Sequence, residues 1–428
     1  MELALRAGLA QLGGGLLEGL LAADAGHRGA AVGCGAGHRA GFVSYRRKAV
    51  DTVLGPVIIR RAWYHCHRCG HGLAPRDADL GVAGQVMSPG LRKMAARAAA
   101  AVPFAKAAAL VGELAGITLT GKRAGRSAEA DGAAAAQLIQ AEAAAMAGAA
   151  LVPLPPPAPA PDKLYIAIDG TGVPMVAAET EGRPGKGDDG KARTREIKLC
   201  AVFTQSTLDE QDRPVRDPGS SSYLATFDPA SEFGVLMAAE ARRRGAGHIR
   251  QLVILGDGAV WICNLADQHF PAATQIVDLY HAREHVHDLA TLATRLLRDS
   301  HPGWLTQRLE ELDNGDIPAL LAAGHALNFT GSLARDRDRQ LGYFETNAHR
   351  MRYAHFQSLG MFIGSGVVEA GCKAVIGQRL KLSGMHWTVP GAASIAALRC
   401  QEASNRWDEI WQRPHNQTPH ADLLTRAS

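Results

Sequence analysis

Leu164-Tyr-Ile-Ala-Ile-Asp-Gly-Thr-Gly-Val-Pro-Met175 is the stretch around which the chain reads as organised. An apolar, β-branched run leads to a carboxylate, Asp169, which a glycine-containing turn is expected to hold at the tip of a buried strand. Leu252-Val-Ile-Leu-Gly-Asp-Gly258 repeats the arrangement and puts Asp257 in the same situation. Such strand ends are where α/β proteins keep their chemistry. A third acid, Glu369 in Gly364-Ser-Gly-Val-Val-Glu-Ala-Gly-Cys-Lys373, opens a helical pattern much later. The three carboxylates are expected to converge on divalent metal ions.

Working outward, strand-like runs fall at Leu164–Asp169, Ile197–Thr204, Tyr223–Phe227, Leu252–Leu255 and Gln275–Val277. Helical patterns fall at Glu232–Arg243, Ala259–Gln268 and His281–Leu297. The order predicts an α/β fold with a mixed sheet and helices, not a purely parallel doubly wound one. Upstream, Pro-Leu-Pro-Pro-Pro-Ala-Pro-Ala-Pro (153–161) reads as a semi-rigid spacer and marks a linker over 151–162. From Ser88-Pro89 to Ala150 the sequence is Ala-rich and helical, with Pro89 suited to a first turn. Gly116 interrupts this pattern before a restart at Thr118–Thr120. That spacing suits a helix-turn-helix led by Lys122, Arg123 and Arg126, or equally a plain helical hairpin with a solvated basic end.

Residues 2–22 read as an apolar helix interrupted by glycines. Thr52–Tyr64 suits two short strands turned at Gly55-Pro56, and it runs directly into His65-Cys66-His-Arg-Cys69-Gly-His71. A Cys-x2-Cys knuckle at a strand end, with Cys34 and His38 about thirty residues upstream, is how a structural zinc ribbon closes a small domain. Soft thiolates and imidazole select zinc. The expected ligands are Cys34, His38, Cys66 and Cys69, with His65, His67 or His71 as possible substitutes for His38. The first body is therefore expected over 1–87, a helical region over 88–150 and a catalytic region over 163–428.

Composition bounds the function classes. The 428 residues suffice for two or three domains, and a net charge of +4 is too small to argue nucleic-acid binding without local clustering. Seven cysteines, odd in number and unevenly spread, argue against a secreted disulfide framework and for a reducing compartment. The first residues lack the organisation of a signal peptide, and no run approaches the roughly 20 apolar residues of a membrane span. A soluble, intracellular protein is expected.

Ile168-Asp169-Gly-Thr-Gly-Val-Pro-Met175, Gly256-Asp257-Gly-Ala-Val-Trp-Ile262, Asp278-Leu-Tyr-His281 and Ile363-Gly-Ser-Gly-Val-Val-Glu369-Ala-Gly-Cys-Lys373 together resemble the motif set of bacterial insertion-sequence transposases of the Kra type. These belong to the DDE class, which also contains Mutator-like elements. Leu380-Lys-Leu-Ser-Gly-Met-His-Trp387 extends the resemblance, which covers roughly residues 50 to 405. It departs from the family at the first knuckle, Cys-x3-His in place of Cys-x2-Cys. The resemblance implies an RNase H-like fold with an all-helical insertion, here about 280–345, between the second aspartate and the glutamate. It also implies a cytoplasmic, nucleoid-associated enzyme that acts on double-stranded DNA (terminal inverted repeats and target), with a homo-oligomer in the synaptic complex and no membrane partner.

Strand cleavage and strand transfer are in-line displacements at phosphorus. Two hard cations (Mg²⁺ or Mn²⁺) roughly 3.5–4 Å apart stabilise the attacking and leaving oxygens, and carboxylates are their preferred ligands. Asp169 would bridge both ions, Asp257 would complete one site and Glu369 the other, and His281 would lie near the scissile phosphate. Each residue has a plainer reading. The Asp-Gly pairs could be turns, Glu369 a helix-start carboxylate, and Asp278 only an N-cap with His281 in the first turn. His281-Ala-Arg-Glu284-His285 also matches the H-x-x-E-H pattern of zinc proteases, and a catalytically dead DNA-binding regulator is a further alternative. Arg242–Arg244, the arginines of 335–352, and Lys373, Arg379, Lys381 and Arg399 are the expected phosphate contacts. Trp387, with His386, is a base-stacking candidate or else a core residue, and the 335–339 arginines are alternatively a self-paired helix face.

Overall fold

The computed structural model describes residues 1–148, 161–185 and 190–412, and the expected Pro-rich spacer falls almost wholly outside them. The chain folds into two compact units, Met1–Ala135 with the residues from Arg406 onward, and Ala136–Asn405. The boundary lies inside a long helix and not at the Pro-rich stretch.

In the first unit, helix α1 (Glu2–Ala22) precedes strands β1 (Ala31–Gly33), β2 (Arg39–Thr52), β3 (Gly55–His65) and β4 (Gly72–Leu73), which pair in sequence order as an antiparallel sheet. Helices α2 (Pro75–Asp79), α3 (Pro89–Ala101), α4 (Phe104–Ala115) and α5 (Gly121–Gly148) follow. Ser88 caps α3 by accepting from the Leu91 amide at 3.3 Å, with Pro89 in the first turn. Gly116 ends α4 in the left-handed conformation, φ +72°. The expected pair of short strands within 52–64 is instead the single strand β3, paired along its length with β2. The turn is Val53-Leu54, and Pro56 lies within the strand opposite Asp51. Gly55, at φ +98°, takes the strained position next to that turn.

The second unit is built on a five-stranded mixed sheet of order β11-β10-β5-β6-β9. Its strands are β5 (Lys163–Pro174), β6 (Thr194–Gln205), β9 (Ser222–Thr226), β10 (Gln251–Gly256) and β11 (Thr274–Val277). A small ribbon, β7 (Thr207–Leu208) with β8 (Pro214–Val215), sits between β6 and β9 in the chain. All five strand-like runs expected from the sequence are strands of this sheet. Strand β6 runs antiparallel to β5 and β9, whereas β10 runs parallel to both β5 and β11. Helices α6 (Ala230–Arg243) and α7 (Val260–His269) make the crossovers into β10 and β11. Beyond β11 come α8 (Leu279–Leu297), α9 (His301–Asn314), α10 (Ile317–His325) and α11 (Gly331–Asn347), so the 280–345 stretch is helical as expected. The chain continues through α12 (Tyr353–Ser358), α13 (Gly366–Gly371), a π-helical turn (Cys372–Gly377), α14 (Gln378–Leu380), α15 (Val389–Ala403) and α16 (Glu409–Gln412), the last in the first unit.

Both faces of β5 are covered, which explains its continuous apolar run. Leu164, Ile166 and Ile168 pack with Phe233 and Met237 of α6 and Ile262 and Leu265 of α7. On the opposite face Tyr165 stacks on Phe203, with centroids 4.9 Å apart, and donates to Gln205 at 2.6 Å. Among the described residues no helix is long and apolar enough to cross a membrane.

One packing detail fixes a pH dependence. The His269 Nε2 on α7 is buried without a hydrogen-bond partner, and a Cβ on Gly234 of α6 would lie 2.5 Å from it. Burial disfavours the imidazolium and lowers the His269 pKa. A group depressed in this way stabilises the fold above its unfolded value of about 6.5, and the contribution is lost as pH falls through the folded value. The melting temperature is expected to fall more steeply between pH 7 and pH 5 in the wild type than in His269→Leu.

Candidate functional site

Two clusters of chemically capable side chains stand out, one in each unit. In the first, β1 and β2 are joined by the loop that carries Cys34 and His38, and β3 and β4 by the loop that carries Cys66 and Cys69. Each loop is closed by its own backbone bond, Cys34 N to His38 O at 2.9 Å and Cys66 N to His71 O at 2.8 Å. Because β2 and β3 pair, both loops lie at the same end of the sheet. One ligand atom from each of the four residues lies within 4.8 Å of the others. Cys69 Sγ is 3.1 Å from Cys66 Sγ and 3.5 Å from both Cys34 Sγ and His38 Nδ1. Hydrogen bonding from Cys69 lowers the Cys66 thiol to about 6, and the reciprocal contact with Cys66 raises Cys69 to about 12. The four expected residues thus form a group able to hold a metal ion. His67 and His71 are exposed, and the His65 and His67 rings pack on each other.

The second cluster lies at one end of the five-stranded sheet. Leu255 of β10 is opposite Ala167 of β5, and Gly256 is opposite Val277 of β11. Asp169 lies two residues past Ala167, Asp257 directly follows β10, and Asp278 directly follows β11. The three aspartates therefore occupy one level on three adjacent strands, whose backbones are about 4.8 Å apart. Asp169 differs from expectation in one respect, because it does not end its strand. Strand β5 runs on through Gly170, Thr171 and Gly172 to Pro174, paired with β6 down to Thr194. The two glycines leave room for the neighbouring strand's side chains: a Cβ on residue 170 would displace the Glu196 carboxylate, 2.4 Å away, and one on residue 172 would lie 3.0 Å from Thr194. The hairpin-turn reading of Asp169-Gly170 is thereby excluded.

Glu369 reaches the same end from α13, which packs on β5 and β6. Gly371 allows the close approach, since a Cβ would lie 2.7 Å from the Tyr223 ring and 3.1 Å from Leu199, the cross-strand partner of Asp169. One helical turn beyond Glu369, the Cys372 thiol is held well above its usual range by burial and by the charges of Asp169, to which it hydrogen-bonds, and Glu369. Asp169 and Glu369 therefore flank Cys372.

Each acid is oriented by a local donor. Asp169 Oδ1 accepts from Gly170 N at 2.7 Å, Asp257 Oδ1 from Ala259 N at 2.8 Å, and Glu369 Oε1 from Ser365 Oγ at 3.1 Å. Helix α11 steadies the Asp257-Gly258 turn through Tyr343 Oη to Asp257 O (2.8 Å) and Asn347 Nδ2 to Gly258 O (3.3 Å). An all-oxygen set suits hard cations. Among the described residues, however, the Cys/His group alone has three or more ligand atoms close enough to share one ion. The carboxylates stand at one end of the sheet, and among the described residues no three of them meet that spacing.

Asp278 has the plainer of its two roles. Its Oδ1 accepts from His281 N at 2.8 Å as the N-cap of α8, and its Oδ2 accepts from Ser365 N, which ties α8 to the loop before α13. His281 is half exposed, 3.7 Å from Glu284. His285 is committed elsewhere, 2.5 Å from Gln340 Oε1 and stacked on Tyr343 at 3.7 Å. The protease pattern therefore has one of its two imidazoles already taken.

Of the expected DNA contacts, Lys373 and Lys381 are exposed, and Lys381 Nζ donates to Thr171 Oγ1 beside Asp169. Arg379 and Trp387 are corrections. Arg379 is fully buried with its guanidinium 5.0 Å from the Trp387 ring, and the indole donates to Leu380 O at 3.0 Å. Arg399 is half-buried, and its guanidinium donates to the carbonyls of Val375 and Ala374 in the π-helical turn. These three side chains are engaged in contacts around the π-helical turn and α14. Arg379→Ala is expected to destabilise the second unit by about 2 kcal/mol or more, as loss of a desolvated cation–π contact implies; denaturant unfolding measures it. The clusters at 242–244 and 337–339 are likewise engaged, Arg243 with Glu142 at 2.6 Å and Arg339 with Asp336 at 2.9 Å. Arg123 pairs with Asp51 at 2.5 Å, which leaves Lys122 and Arg126 exposed on α5.

Sequence reasoning passed over Cys372, Ser365 and Tyr343. Only Ser365, four residues before Glu369 and hence on its helical face, carried a local signal. The chain matches no family model and no curated protein.

Proposed function

We propose that the chain is a DNA transposase of the DDE class with an RNase H-like catalytic unit and a zinc-bearing, DNA-binding first unit. One observation carries the reading: Asp169 and Asp257 stand at one level on adjacent parallel strands, and Asp169 and Glu369 both act on the Cys372 thiol at that end of the sheet. The antiparallel β5-β6-β9 meander, extended by two parallel strands each reached through a helix, supports the fold assignment. The helices between Asp257 and Glu369 stand where the motif resemblance places an insertion.

Two magnesium or manganese ions, when bound, would stabilise the entering and leaving oxygens at phosphorus. Asp169, Asp257 and Glu369 are the residues that would hold them. The chain's own groups do the rest. Backbone amides and the Ser365 hydroxyl hold one oxygen of each carboxylate, so each rotamer is set before substrate arrives. Lys381, beside Thr171, offers a cation to a phosphate near Asp169. His281, half exposed at the start of α8, can hydrogen-bond a phosphate or hold a proton there.

The test is strand cleavage. Purified full-length chain with Mg²⁺ is expected to nick a plasmid at the ends of the DNA that flanks its own coding sequence. A chain that binds this DNA and never cuts it, with Mg²⁺ or Mn²⁺, overturns the enzyme in favour of a regulator.

A further inference from the structure

We propose that the long β2–β3 hairpin of the first unit is a duplex-DNA-binding ribbon, which grips the phosphate backbone through Arg47 and Arg60 on one face and Arg46 on the other. The proposal deepens the transposase reading and rests on it for the identity of the ligand. Strands β2 and β3 carry Arg39, Arg46, Arg47, Lys48, Arg60 and Arg61 against a single acid, Asp51. The folded unit uses up part of this charge. Buried Asp77 pairs with both Lys48 (3.1 Å) and Arg61 (3.0 Å), Arg39 donates to Ala31 O, and Asp51 is taken by Arg123. Arg46, Arg47 and Arg60 remain exposed, and none forms an ion pair among the described residues.

The register sharpens the point. Arg47 and Arg60 are directly opposite each other across the two strands, with exposed Tyr45 and Ile58 on the same face. Like charges in that relation destabilise a sheet. A solvated face chosen only for stability would put a carboxylate in one of the two positions. Two of the three guanidinium groups are also pre-positioned. Arg60 lies 4.1 Å over the Tyr45 ring and Arg46 lies 4.5 Å over Trp63. Stacking restrains each guanidinium while leaving its N–H groups free for phosphate oxygens. A two-stranded ribbon fits the major groove of B-form DNA, whereas the deep, narrow groove of A-form RNA does not admit it. The observations thus favour duplex DNA.

The experiment compares wild type, Arg47→Ala/Arg60→Ala and Arg47→Lys/Arg60→Lys as full chains. Binding to a labelled random-sequence duplex is followed by anisotropy over a range of salt, and melting is measured on each protein. Loss of two phosphate contacts should reduce the slope of log K against log salt by about 1.8, or roughly 60-fold in affinity near 0.1 M salt if the 1 M intercept is unchanged. The lysine variant should keep the wild-type slope. The alanine variant should melt close to wild type, since loss of the like-charge pair offsets loss of the Arg60–Tyr45 stack. An alanine variant that binds with wild-type affinity and slope overturns the ribbon and leaves the transposase reading intact. Double-stranded RNA bound as tightly through the same arginines overturns the choice of DNA. A wild type that binds DNA through Arg47 and Arg60 yet never cuts it sinks the enzyme and not the ribbon, and one that binds no duplex sinks both.

Discussion

Asp257→Asn is expected to lower divalent-dependent strand cleavage by on the order of 10³-fold or more while leaving duplex binding and melting temperature near wild type. A carboxylate that holds a catalytic cation contributes several kcal/mol of transition-state charge stabilisation, and each ~1.36 kcal/mol is tenfold in rate. The substitution is selective because of how the turn is built. Asp257 Oδ1 accepts from the Ala259 amide at 2.8 Å, and an asparagine oxygen can accept the same bond. The turn is further held by backbone carbonyls, which Tyr343 and Asn347 grip and which the substitution does not touch. Gly258, at φ +84°, keeps its left-handed conformation. What changes is one negative charge at the edge of the sheet. If the asparagine variant cuts at the wild-type rate, Asp257 is a turn residue and the catalytic reading of this edge fails.

The sheet was legible in the sequence because β5 and β10 are buried on both faces, so their apolar runs are continuous and end at polar residues. The antiparallel continuation of β5 through Asp169-Gly170-Thr-Gly172 was not. An Asp-Gly pair signals a turn from local propensity alone, and only the pairing of residues 169–174 with Thr194–Leu199 of β6 shows that it lies within a ladder. The four Cys/His positions were readable from spacing, because short hairpin loops keep ligands close in sequence as well as in space. The surface was read least well. Arg379 looks exposed by residue type, yet the fold buries it against Trp387, for which a core position was the alternative reading. Arg47 and Arg60, which the strand register sets face to face in solvent, sit in a β-rich stretch whose apolar neighbours drew attention to packing.

The knuckle end of the first unit is expected to depend on its metal more than on its core. Purified chain should retain about one zinc per molecule through dialysis, and Cys66→Ser should lose it together with the ordered structure of the β1–β4 sheet. Around the knuckles the buried apolar cluster is small, namely Ala40, Ala62, Tyr64 and Cys66 itself. Its largest member, Tyr64, has its hydroxyl donating to Gly29 O at 3.1 Å and accepting from Arg28 N at 2.7 Å, so it ties loop to sheet more than it fills a core. Structural zinc contributes about 10–16 kcal/mol of apparent binding free energy in small domains at neutral pH, of the same order as the whole stability of an ordinary domain. Without it, the Cys34 and Cys66 sulfurs, each within 3.5 Å of Cys69 Sγ, bring only mutual repulsion once ionised. Cys66 is fully buried at the end of β3, where serine offers a harder and weaker ligand in nearly the same volume, so the change isolates coordination from packing. Chelator should reproduce the variant's behaviour in the wild type, read as a lowered melting transition and faster amide exchange in residues 31–73. Protein that purifies without zinc, or a serine variant that melts with the wild type, would show that β2 and β3 hold each other without the ion.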